Sequence, residues 1–194
     1  TRFFATTSRN FTSPFSSSVT TPGPRIDNVI IRGDDTSVDC WYKHLRLTNC
    51  WNFSINNLGI KGLDDATSPF DALQGIELID CPDGRIQNIW VYHTENSVRV
   101  AGSAGAGGGD GLQLTKFTFV GVTNGLVVDR PATLNGLFVN TGHVNAYSNC
   151  LQLTNTRQFQ ICELQLYKTH VSPNNWEGIN LTSCDYGFIH DCTI

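Results

Sequence analysis

Sixteen residues of this chain are repeated, and the repeat decides what the chain can fold into. Leu45 to Ile60 aligns without a gap on Ile76 to Val91, Leu151 to Leu166 and Ile179 to Ile194. Apolar side chains fall at unit positions 1, 3, 11, 14 and 16, as in Leu45, Leu47, Ile55, Leu58 and Ile60. Looser copies fill the gaps. Arg25 to Gly33 and Leu114 to Gly121 repeat the second half of the unit, while Val98-Arg99-Val100 and Leu126-Val127-Val128 repeat the first. Leu134, Leu137 and Val139 then complete the turn begun at Leu126 if two residues are deleted. A pattern returning every roughly 20 to 50 residues means stacked units that bury their apolar faces on one another.

Spacing within the unit identifies those units as strands. Positions 1 and 3, and again 14 and 16, alternate as neighbouring side chains do on one face of a strand. No i, i+3, i+4, i+7 series occurs, and Val, Ile, Phe and Thr are frequent. Three short strands per turn follow, at positions 1 to 3, about 8 to 11, and 14 to 16. Position 13 reads Asn28, Asn57, Asn88 and Gly136, residue types that accept a positive φ at a tight corner. Stacked Asn amides there can hydrogen-bond along the axis. The expected fold is all-β, a parallel β-helix of about six to seven turns.

Over residues 25 to 194 the turn length, three-strand unit and Asn corner resemble the right-handed single-stranded parallel β-helix of pectate-lyase type. That fold houses secreted pectate and pectin lyases, polygalacturonases, adhesins and bacteriophage tailspikes. In pectate lyases an arginine acts as base and aspartates hold calcium. No motif here matches that arrangement residue by residue, and Arg99 beside Glu77 reads as a cross-turn ion pair.

The N-terminal 1–24, rich in Ser, Thr, Phe and Pro, carries no repeat and is expected to be an extended arm. The repeat breaks off at Ile194 without a polar cap, so the solenoid is expected to be truncated there. With 194 residues, a net charge of −4 and 15% charged residues, the chain has no basic footprint for nucleic acid. Neither a bilayer-spanning apolar run nor a signal segment is evident. Seven cysteines, an odd number, include Cys50, Cys81 and Cys184 at the shared position 6, which favours free thiols in a column over disulfides. No zinc-ligand spacing occurs.

Variable loops follow position 16, and four residues beyond it stand Asp35, Asp64, Glu95, Thr123, His143 and His170. Glycoside cleavage needs two carboxyls, about 5 Å apart for retention and roughly 6.5 to 9.5 Å for inversion. Asp35, Asp64 and Glu95 are therefore the candidate catalytic acids, with solvated turn residues as the plain alternative. Trp90 at position 15 points outward, and Trp41 and Trp176 precede first strands. With His143 and His170 they are candidate sugar contacts, since a flat indole stacks on a pyranose face. A subunit contact is the other use for Trp90. The Gly-rich run from Gly102 to Gly111 lacks a phosphate-loop ending and is expected to be a surface loop.

Free cysteines, Asn/Thr/Gly-rich turns and irregular loops make the resemblance to tailspikes the leading one. It implies a homotrimer on the virion that binds, and as a glycosidase or lyase cleaves, a bacterial capsule or lipopolysaccharide. No cofactor is expected, except calcium if the chemistry is that of a lyase. A secreted extracellular lyase, hydrolase or epimerase and a non-catalytic adhesin are the alternatives.

Overall fold

A computed structural model describes residues 2–3, 9–12, 23–32, 41–50, 52–62, 72–81, 83–102, 111–169 and 175–194. Its strands are β1 (Arg2–Phe3), β2 (Arg9–Thr12), β3 (Arg25–Arg32), β4 (Trp41–Thr48), β5 (Ser54–Lys61), β6 (Ala72–Ile79) and β7 (Arg85–Tyr92). They continue with β8 (Asn96–Ala101), β9 (Leu112–Asp129), β10 (Leu134–Asn135), β11 (Leu137–Thr154), β12 (Thr156–Arg157), β13 (Gln160–Lys168), β14 (Glu177–Thr182) and β15 (Phe188–His190). Every named pairing is parallel and joins one turn to the next. The fold is a parallel β-solenoid in which about five turns, beginning at Leu45, Ile76, Val98, Leu126 and Leu151, enclose the core. Partial turns stack on both ends, where the sequence suggested six to seven full ones.

Two ladders run along the rod. One carries positions 1 to 4 through β2, β4, β6, β8, the end of β9, the end of β11, and β14. The other carries positions 10 to 17 through β1, β3, β5, β7, β9, β11, β13 and β15. The expected second and third strands are thus one hydrogen-bonded element bent at position 13. In β9 and β11 the chain stays hydrogen-bonded through both ladders. A third, two-residue pairing links β10 to β12. β1 and β2 show that described parts of the N-terminal segment add strands to the first turn.

Inward side chains form vertical rows. Position 11 stacks Ile26, Ile55, Ile86, Leu114, Val139, Ile161 and Ile189. The five from Ile55 to Ile161 are buried, each worth about 1.5–3 kcal/mol relative to exposure.

One turn departs from its expected register. Leu134 pairs with Thr156, at position 6, and Val139 takes position 11 opposite Leu114 and Ile161. That turn therefore has three extra residues between positions 1 and 11, not two missing (Leu126 to Val139 is 13 residues; Leu151 to Ile161 is 10). Gly136, with φ of 70°, belongs to another corner, position 8, beside Asn52, Asp83, Gly111, Gln158 and Tyr186, all at positive φ. Position 13 is occupied instead by Asn28, Asn57, Asn88, Lys116, Thr141, Glu163 and Asp191, again all at positive φ. Amides line part of that corner: Asn57 Nδ2 donates to Asn28 Oδ1 at 3.0 Å and Asn88 Nδ2 to Asn56 Oδ1 at 2.9 Å.

Cys50 and Cys81 are buried free thiols in adjacent turns. The Cys81 thiol is pushed up, first by its hydrogen bond with Cys50 and then by burial. Burial likewise raises Cys150 to about 12. Such groups stay protonated and unreactive.

Candidate functional site

The position 13 corner turns the chain so that positions 15 and 17 stand outward on a face of their own. Position 15 runs Ile30, Gly59, Trp90, Thr118, His143 and Gln165 up the rod. Trp90 is 38% exposed and lies against Gly59 one turn below, so close that a Cβ on Gly59 would overlap the indole. Its ring is also held edge-on to Tyr92, with centroids 5.9 Å apart. Backbone beneath and Tyr92 beside it fix the indole with one face outward. A groove of about 700 Å³ surrounds it, lined by Ile30, Asn57, Asn88, Lys116 and Thr118 among others.

The structure brings two of the proposed sugar contacts together by a route the sequence did not suggest. With the register corrected, His143 leaves the loop column and joins the Trp90 row, two turns further on. There its ring lies 5.3 Å from that of Tyr167. Trp90, Tyr92, His143 and Tyr167 thus form one aromatic face, three turns or about 14 Å from end to end.

The remaining candidates divide. Glu95 is half-buried in the three-residue connection between β7 and β8, and its carbonyl accepts from Asn124 N at 2.7 Å. Its column continues to Thr123, and the corrected register adds Ser148 where His143 was expected. Asp35, Asp64 and His170 lie outside the described residues, as does the side chain of Trp41, whose backbone pairs with Ala72. Trp176, before β14, is half-buried against the core beside Cys150.

A charged cluster occupies the first-strand face. Glu77 is 1% exposed and is met by Lys43 Nζ at 2.5 Å, Arg46 Nε at 3.1 Å and Arg99 Nη1 at 3.2 Å. Arg99 also reaches Asp129 at 2.8 Å, and that hydrogen bond is the main reason its pKa is raised further. The sequence reading found the Arg99–Glu77 pair but not the cluster. Its signal was visible: position 2 reads Arg46, Glu77 and Arg99 in successive turns. A second amide ladder, Asn149 to Asn124 to Asn96 at 2.9 Å per step, was also missed, although Asn recurs two residues before position 1.

Among the described residues no group of three or more His, Cys, Asp or Glu is placed to hold a metal ion. No helix there is long and apolar enough to cross a membrane. Comparison with known protein families, curated proteins and solved structures gives no match, so fold and site geometry alone carry the functional reading.

Proposed function

We propose that this chain is the glycan-recognising β-solenoid of a tailspike-type protein that binds a bacterial surface polysaccharide along the Trp90–His143 face. One observation carries the proposal: an outward indole, held rigid against Gly59, bordered by Asn57, Asn88 and Thr118. A rigid aromatic plane stacks on the C–H face of a pyranose at little entropic cost, while neighbouring amides and hydroxyls exchange hydrogen bonds with sugar hydroxyls. A row repeating about every 4.8 Å along a rod suits a polymer better than a small molecule. Homotrimer assembly on a virion and cleavage by Glu95 with Asp35 and Asp64 belong to the same proposal.

A second reading, a lyase acting on an acidic polysaccharide, is favoured by one observation: Lys43, Arg46 and Arg99 converge on the single buried Glu77.

The test is incubation of the chain with capsular and lipopolysaccharide preparations. Binding, new reducing ends and unsaturated product are followed together, with light scattering for the trimer. Binding that Trp90→Ala abolishes supports the reading; reducing ends without unsaturation indicate hydrolysis, and with it a lyase. Failure to bind any preparation, or equal binding by Trp90→Ala, refutes it.

A further inference from the structure

The upper turns carry a second recess, of about 430 Å³, on the face adjoining the Trp90 groove. Its lining includes Gln113, Thr115, Phe138, Asn140, Gln160 and Cys162, the outward residues of positions 10 and 12 in three consecutive turns. None of the six is an acid or a base. The same positions in the three turns below hold Arg25, Asp27, Ser54, Asn56, Arg85 and Gln87, so the charged side chains of these rows lie below the recess, while His190 in the turn above meets Gln160 at 3.1 Å. Phe138 is 42% exposed, with Gln113 directly below it and Gln160 directly above. Asn140 Nδ2 donates to the Cys162 sulfur at 3.0 Å, which fixes the amide at the edge of the recess.

We infer that this recess is a second glycan subsite, specific for neutral pyranosyl residues, and that it extends the path starting at Trp90. An exposed ring flanked along the axis by amides complements a pyranose, whose C–H face stacks while its hydroxyls meet amide donors and acceptors. An ionised sugar finds no opposite charge among these six side chains. The two recesses meet at consecutive residues, Thr115 lining one and Lys116 the other. Phe138 lies two turns above Trp90, about 10 Å along the axis, so one oligosaccharide can cross the corner and touch both rings. The concave, amide-rich lining favours a sugar over a second copy of this chain, which would bury a flatter and more apolar patch. The inference rests on the glycan-binding reading above, but it can fail alone.

Calorimetric titration of the 194-residue chain tests it, with maltoheptaose, mannohexaose and cellohexaose as neutral probes and a hexagalacturonate as the acidic one. Phe138→Ala should weaken binding of a neutral probe by about tenfold with unchanged melting temperature, as expected for loss of one stacking platform. Phe138→Tyr, which keeps the ring, should bind as the parent does. If Trp90→Ala weakens binding and Phe138→Ala does not, the subsite is wrong and the Trp90 reading survives. If neither variant changes the affinity, both fail. Binding of the hexagalacturonate alone overturns the neutral specificity. Should Phe138→Ala change only self-association in light scattering, the recess is an interface between copies and the inference falls.

Discussion

The ring of Phe117 fills the space that a side chain at Gly142, directly above it in the next turn, would need. A Cβ on Gly142 would overlap the ring. The same exchange of an aromatic for a glycine joins Phe53 to Gly84 and Phe159 to Gly187 at position 9. Each pair keeps the volume of two neighbouring turns nearly constant, so that the turns stack without a void. Gly142→Ala should therefore cost about 1–3 kcal/mol by overpacking. Phe117→Leu in the same molecule should restore part of that loss, leaving a coupling energy measurable in a double-mutant cycle by denaturant unfolding. Additive effects would show that the two positions do not share this space.

Glu77 should be the most sensitive charged residue in the described structure. Its carboxylate is buried, and three cations are held against it. Glu77→Ala leaves Lys43, with only 13% of its side chain exposed, beside Arg46 and Arg99 without the buried carboxylate that all three meet. The expected loss is about 3–5 kcal/mol, measured by chemical denaturation. Asp129→Ala, whose carboxylate is 61% exposed, should cost under about 1 kcal/mol and lose even that at high salt. Similar costs for the two would mean that the cluster is not desolvated.

His44 gives the fold a pH dependence with a defined sign. It is 3% exposed, and burial lowers its pKa from 6.5 to about 4, against the opposing hydrogen bonds with the backbone at Gln74 and Lys61. The unfolded chain takes up a proton near pH 6.5, while the folded chain resists until about pH 4. Stability is thus fully present above pH 6.5, falls as pH drops through that window, and levels off below it. The contribution is on the order of 3 kcal/mol. Unfolding free energy measured across the window should slope downward toward acid, and His44→Gln should flatten the slope. A slope unchanged by the substitution would assign the effect to other groups.

Rows at positions 1, 3, 14 and 16 were legible because an inward strand position must be apolar in every turn, and the eye can follow Leu45, Ile76, Val98, Leu126 and Leu151. Register was lost between Val128 and Val139 for a physical reason. Buried Leu134 mimics position 11, and Gly136 mimics the Asn corner. The true corner residue there is Thr141, a β-branched residue at a φ of 53° that no propensity would select. Stacking on the neighbouring turns holds it there, a tertiary effect that local sequence does not show. The proposed site was partly legible: Trp90 was recognised as outward, but its support by Gly59 depends on a partner 31 residues away. Counting from position 16 puts His143 in the loop column because Leu134, Leu137 and Val139 mimic a shortened turn.

Cross-turn register is the fact from which the Trp90–His143 face and both grooves follow, and disulfide trapping measures it directly. In the structure Thr118 pairs with His143, and adjacent parallel strands place such Cα atoms about 5 Å apart, within reach of a disulfide. The register read from sequence would instead set Thr118 opposite Phe138. Mild oxidation of T118C/H143C and of T118C/F138C, followed by peptide mapping in a mass spectrometer, separates the two. The expected result is an engineered cross-link in T118C/H143C and none in T118C/F138C; the reverse would contradict the stacked face and the glycan path built on it.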